Sequence, residues 1–180
     1  MQNPSFRTPY VAVIVLSSFL AAASSARAQT AKLDDPTIIA IFDAANSWDM
    51  ETGAIGAKKG TTADIRQFGA MLVRDHRAVR QQGRDLAKKL GVHPTPPKSF
   101  DMATQHAAAL RSLRAKRGAT FDRAFLEHEV AYHKAVIEAV TTSLLPALQN
   151  QEAKDLVTKV APAFKAHMDA AHDKLEKLKY

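Results

Sequence analysis

His76, His133 and His167 each occupy a position where the apolar stripe of a helix calls for a hydrophobic side chain. Burying a polar group without a partner costs roughly 2–7 kcal/mol, depending on the reference state. Three such intrusions, one per helix and each near mid-helix, point to side chains that converge on a common object. Glu51 lies near the matching stripe of a fourth helix. Neutral imidazole is a metal ligand, and three imidazoles with one carboxylate make an N3O donor set. The expected site is therefore His76, His133, His167 and Glu51 around a single transition-metal ion: zinc, copper, iron or nickel. Asp49 and Asp75 stand beside these positions as candidate outer acceptors for the ligands. The same histidines also fit a polar layer in which they hydrogen-bond to one another, to a carboxylate or to a carbonyl. The residues leave both readings open.

Other chemistries find less support. A di-iron carboxylate centre uses Glu-x-x-His pairs. Here the third residue before each histidine is Val73, Val130 or Phe164, so no di-iron oxidase activity is expected. Glu129, four residues before His133, is placed on a neighbouring face. His93, His106, His128 and His172 are expected at the surface, and Trp48 in the core. The methionines form no copper-type cluster. No serine stands in a nucleophile elbow, and no glycine-rich loop is built to cradle phosphate.

The elements that must position the three histidines are helices. Ala, Leu, Lys, Arg and Glu dominate residues 29–180, and no window alternates with period two. A first helix is expected from about Asp35, with Pro36 at its first position, to about Lys59. Its stripe is Ile38, Ile41, Phe42, Ala45, Trp48, Thr52 and Ile55. After Gly60, Thr61 or Thr62 caps a second helix running to about Leu90. Its stripe of Ile65, Phe68, Leu72, His76, Val79, Gly83, Leu86 and Leu90 steps by three or four throughout. Gly91 and the proline-rich segment 92–97 form a loop. A short helix follows over about Asp101 to Lys116, broken at Gly118. A long one covers about Phe121 to Leu144, and a last one about Leu148 to Leu178. Pro162 falls inside the last, which predicts a kink or a fresh start there.

A faint repeat relates residues 65–79 to 122–136. Aligning His76 with His133 also matches Arg66 with Arg123, Phe68 with Phe125, Val73 with Val130, Ala78 with Ala135, and Val79 with Val136. If it reflects duplication, the two histidines are equivalent about a pseudo-twofold axis. Four long helices with one irregular connection predict an all-α, antiparallel four-helix bundle with one extra short helix.

Residues 1–28 read as a signal peptide. Arg7 gives a positive start, the run from Tyr10 to Ala23 is apolar, and Ala26-Arg27-Ala28 fits a small-x-small cleavage site. The apolar run is shorter than the about 20 residues that span a bilayer. Cleavage after Ala28 leaves a mature chain of residues 29–180 without a transmembrane segment, periplasmic or secreted. No Arg-Arg pair precedes the apolar run, which favours general secretion. The chain contains no cysteine, which excludes disulfides, thiolate nucleophiles, cysteine-ligated zinc and a lipid-anchoring cysteine. The signal carries Arg7 and Arg27 and no acid, so the mature chain has 23 basic and 18 acidic residues, a net +5. Basic residues cluster at 74–84, 88–89 and 111–117. They fit either solvated helix faces or an anionic envelope surface as partner. Nucleic acid is not expected, because no aromatic residues interleave with the basic ones.

Several of these segments together resemble a known family. They are Glu51-x-Gly53, Phe68, Met71–His76 (MLVRDH), Leu86–Val92 (LAKKLGV) with its proline-rich tail, and Phe121–His133 (FDRAFLEHEVAYH). The chain is similar over about residues 36–178 to the domain-of-unknown-function 4142 family (DUF4142). That resemblance implies a ferritin-like helical bundle, export, in some cases association with the outer membrane, and an unassigned activity. Its site positions would fall on Glu51, His76, His133 and His167. Tyr132 departs from the acidic residue common there in similar sequences. The functional expectation is an exported envelope protein binding one metal ion, against a non-catalytic structural or stress-related module with a core polar layer.

Overall fold

The computed structural model describes residues 33–97 and 101–178. The expected signal peptide and its cleavage site lie outside the described residues. Asp34 begins α1 (Asp35–Lys59) by accepting a hydrogen bond from Thr37 N at 2.9 Å, with Pro36 in the first turn. Thr62 caps α2 (Ala63–Leu90) through Ile65 N, and Gly91 ends it in the left-handed conformation at φ 65°. α3 (Asp101–Ala115) and α4 (Gly118–Ala139) follow. A π-helical turn, Val140–Leu144, and a single turn α5 (Leu145–Ala147) lead to α6 (Gln151–Glu176), capped by Asn150. The described residues contain no strand. None of their helices is long and apolar enough to cross a membrane.

Hydrogen bonds and one close backbone contact, from the helices and the residues that flank them, fix the topology. α1 meets α2 through Asn46 and His76, and through Gly53 and Gly69. α2 meets α6 through His76 and His167, and through Asp64 and Lys174. α1 meets α4 through Ala45 and Tyr132, and through Thr61 and Asp122. In each pair one number rises as the other falls, so neighbouring helices run antiparallel. α2 and α4 therefore run the same way. The chain must return along the bundle between them, and α3 makes that return across α1 and α4. This is the ferritin-like variant of the bundle, with one long crossover.

Two close contacts set how tightly the frame is drawn. A Cβ at Gly69 would lie 2.4 Å from Ala57 N and 2.6 Å from Gly53 O, so the α1 and α2 backbones touch where both helices lack side chains. Lys59 at the end of α1 donates to the Leu113 and Arg114 carbonyls at 2.9 and 2.8 Å, and so caps the C-terminal end of α3. At the opposite end Asp35 accepts from Gln149 N and Asn150 N, at 2.7 and 2.8 Å, and holds the start of α6 against α1. Phe121, Phe125, Leu126, Leu72 and Phe68 fill one half of the core. Ile38, Val136, Val140, Leu148 and Val157 fill the other. The histidines lie between the two.

Three expectations change. Gly118 begins α4 rather than only breaking its predecessor, so that helix starts before Phe121. Its end loosens into a π-turn, in which Leu145 N donates to Val140 O, just before Pro146, which has no N–H. Pro162 does not start a new helix: α6 runs through it, and the proline is exposed, so water can serve the carbonyl it leaves without a donor.

Candidate metal centre in the bundle core

The apolar stripe calls for Ile38, Ile41, Phe42, Ala45, Trp48, Thr52 and Ile55 of α1 to face inward. Ile38 and Thr52 are buried as that stripe requires, whereas Ile41, Phe42, Ala45, Trp48 and Ile55 are only half-buried. The rest of the buried face is Ile39, Ala40, Asn46, Asp49, Gly53 and Gly56. The helix is rotated by about one residue relative to its apolar stripe. Only the small Gly53 and Gly56 permit the approach of α2 and of the Phe125 ring. The rotation carries Asn46 and Asp49 into the core, where they meet His76 on α2 and His133 on α4, and His76 in turn meets His167 on α6.

The three rings form one cluster. Their centroids are 5.1 Å apart for His76 and His167, 5.4 Å for His133 and His167, and 5.6 Å for His76 and His133. Phe164 closes one side at 5.3 Å from His76. One nitrogen from each ring can be chosen so that all lie within 4.8 Å of one another. The Nε2 of His76 is 3.1 Å from the Nδ1 of His167 and 3.2 Å from the Oδ2 of Asp49. The Nε2 of His133 is 3.1 Å from the same Oδ2. Around an ion with bonds of ~2.0–2.1 Å, tetrahedral ligand atoms stand about 3.3–3.4 Å apart. Three of the spacings, His76 to His167, His76 to Asp49 and His133 to Asp49, lie close to that edge length.

The outer nitrogens decide which inner ones carry lone pairs. Asn46 donates its Nδ2 to Phe42 O at 2.8 Å, so its Oδ1 faces His76 as an acceptor, 2.9 Å from Nδ1. His133 Nδ1 is 2.9 Å from the Glu129 carbonyl, which can only accept. His167 Nε2 is 3.2 Å from the Asp75 carboxylate. Each outer nitrogen is thus the protonated donor. Each inner nitrogen, Nε2 of His76, Nε2 of His133 and Nδ1 of His167, presents a lone pair to the centre. Such outer acceptors fix the tautomer and orientation of metal-ligating histidines.

The surroundings favour neutral imidazoles. Burial pushes His76 down to about 2, and the neighbouring His133 and His167 add to the effect. Burial likewise takes His133 down to about 4, against the opposing hydrogen bond to Glu129 O. His167 is lowered by burial, with Asp75 working in the other direction. Burial also drives the Asp49 carboxyl well above its ordinary range. Glu129 is raised by burial and by the nearby Asp49. Neither carboxyl of this pair makes a well-formed hydrogen bond, although the Thr52 hydroxyl lies near Glu129. A cation at the lone pairs would satisfy both the neutral histidines and an ionised Asp49.

The structure brings together His76, His133 and His167, but not Glu51. The Glu51 side chain is 53% exposed, and its Oε2 binds His106 Nε2 at 3.0 Å on the outer side of α1. Two residues along a helix is about 200°, so Asp49 facing inward requires Glu51 to face outward. Asp49 is the carboxylate at the centre, while Asp75 is an outer acceptor as expected. Glu129 was placed on a neighbouring face. Four residues is one turn, and it is fully buried on the same face as His133. His106 is buried rather than exposed, and half-buried Trp48 stacks on its ring at 5.4 Å. Asn46 and Glu129 are legible as the 3- and 4-residue spacings Asn46–Asp49–Thr52 and Glu129–His133, polar residues that join the apolar stripe at Thr52 and at His133.

The fold and site define an all-α four-helix bundle with a buried histidine–carboxylate cluster. The chain belongs to the family described as "Domain of unknown function (DUF4142)", whose model matches residues 20–173. A search of curated proteins finds no match. Among solved structures, the chain is similar to the "Crystal structure of DUF305 fragment from Deinococcus radiodurans", with a TM-score of 0.70 and 15% identity. That likeness covers 79% of this chain and 95% of the other, and shows a shared helical fold.

Proposed function

We propose that this protein is an exported metal-binding protein that holds one transition-metal ion, zinc, copper or iron, through His76, His133, His167 and Asp49. One observation carries the reading. All three outer ring nitrogens are committed to acceptors, so three lone pairs converge beside a buried carboxylate. A dry polar layer would place donors against acceptors, whereas here the facing atoms of His76 and His167 are both acceptors at 3.1 Å. Asp49 and His133 are fully buried, and only the His167–Asp75 edge nears solvent. Burial of this kind supports binding and retention rather than turnover of a substrate. Export rests on the charged start, apolar run and Ala26-Arg27-Ala28 of the sequence. Several clustered basic residues serve acids of the same chain, Arg80 and Arg84 both binding Asp43. That favours solvated faces over an anionic envelope partner.

Elemental analysis of untagged protein tests the metal reading. One equivalent of metal is expected in the core, lost in a His76→Ala/His133→Ala variant. The melting temperature of the wild type should rise with added ion, because a ligand bound only by the native state stabilises it by about 2.7 kcal/mol at 100 times Kd. No uptake and an unchanged melting temperature would instead support a polar layer sharing a proton between Asp49 and the histidines. Mass spectrometry of the exported protein should place its first residue at Gln29.

A further inference from the structure

Outside the bundle core, two more histidines line one groove between α3 and α4. A cavity of about 230 Å³ opens there, with Met102, Gln105, His106, His128 and Tyr132 on its walls. His106 is 92% buried, and its Nδ1 is buried without a hydrogen-bond partner. Its other nitrogen faces the Glu51 carboxylate at 3.0 Å, so Nε2 carries the proton and Nδ1 a lone pair. The Nε2 of His128 is likewise buried and unpartnered. Both rings are clamped on aromatic faces, His106 on Trp48 at 5.4 Å and His128 on Tyr132 at 5.7 Å. Burial and the proximity of His106 hold His128 neutral, down to about 4.

An orphaned ring nitrogen in a protein interior is costly, because it gives up its hydrogen bond to water and gains none in return. Two of them on the wall of one cavity, with one ring oriented by a carboxylate, have the form of a histidine–metal site with its carboxylate in place. We propose that His106 Nδ1 and His128 Nε2 form a second site for an imidazole-preferring divalent transition ion, separate from the bundle core. The remaining coordination positions fall to water or to the Gln105 and Met102 side chains on the same wall. This assigns Glu51 a role beside a metal, as the residue that orients His106. The site opens to solvent, so its ion exchanges faster than one held in the core.

Zinc titration of the metal-free full chain tests this, read by calorimetry and by zinc retained after desalting. Two binding phases are expected in the wild type. His106→Gln/His128→Gln should abolish the weaker phase and keep the tighter one. Glu51→Ala, a change at an exposed side chain that removes the acceptor, should weaken the second phase by about 10–100-fold and leave the first untouched. A His106→Gln/His128→Gln variant that titrates like wild type overturns the proposal. So does a Glu51→Ala variant with an unaltered second phase, which decides the matter even if the double variant fails to fold. The two readings fail separately, because the core phase responds to His76→Ala/His133→Ala and not to these changes.

Discussion

The Nε2 of His76 and the Nδ1 of His167 stand 3.1 Å apart, and each is the nitrogen its ring does not use as a donor. Two lone pairs at that distance repel unless a cation or a proton lies between them. The relationship exists because Asn46 and Asp75, on α1 and α2, hold the opposite nitrogens of the two rings.

Removing Asn46's acceptor should therefore weaken metal binding without touching the metal. Asn46→Ala frees His76 to change tautomer and to turn. Outer partners of this kind are worth about 10–100-fold in affinity. Calorimetric titration with zinc should show that loss, and Asn46→Asp, which keeps an acceptor oxygen, should restore much of it. Wild-type affinity in Asn46→Ala would mean that packing against Phe164 alone orients the ring.

Asp49→Asn separates the demands of the metal from those of the fold. The Asp49 carboxyl is fully buried and both its oxygens lack hydrogen bonds, so ionising it costs the apo protein. The amide should leave the apo melting temperature unchanged or higher, while metal-induced stabilisation falls sharply. Thermal melts with and without zinc read both quantities. A large loss of apo stability would show Asp49 already compensated without metal.

The acid and alkaline limbs of apo stability should come from different groups. His76 and His133 titrate near 2 and 4 in the folded chain, below the ordinary 6.5. The unfolded chain therefore binds more protons between about pH 6.5 and 4, and stability falls as pH drops through that window. The slope is about 1.4 kcal/mol per pH unit for each group fully displaced. Asp49 and Glu129 are shifted upward, so their contribution is present in acid and is lost as pH rises through their folded values. Metal reverses the second limb by stabilising the ionised carboxylate. Apo and zinc-loaded melts should diverge as pH rises, and binding should release protons, measurable by calorimetry in buffers of different ionisation enthalpy.

Gly69→Ala tests the backbone contact that rotates α1. The added methyl would meet Ala57 N and Gly53 O at 2.4 and 2.6 Å, backbone atoms that cannot step aside alone. The helices must separate, at a cost of about 1–3 kcal/mol. A lower denaturation midpoint and weaker zinc binding are expected together, since the same contact seats Asn46 and Asp49. Gly91→Ala, at a surface cap, should cost stability without changing zinc affinity.

The sequence by itself determined the helical class, the limits of α1 and α2, and the convergence of His76, His133 and His167. Those follow from local signals: caps, glycine stops, and three- and four-residue periodicity, which any amphipathic helix must obey. It pointed to Glu51 where the structure places Asp49 beside His76 and His133. Apolar periodicity locates a buried face only when that face is apolar, and past Ala40 the buried face of α1 is built from Asn46, Asp49, Thr52, Gly53 and Gly56. Apart from Thr52, those residues read as a surface until α2 and Phe125 are packed against the glycines. Tertiary structure alone decided that α1 turns Asp49 inward and Glu51 outward. The reason is steric: two helix backbones can approach this closely only where side chains are missing, and that requirement outweighs the apolar stripe. The same packing buried His106 beneath α3, which the short helix's own pattern did not reveal, because its cover comes from Trp48 and Glu51 far away in the chain.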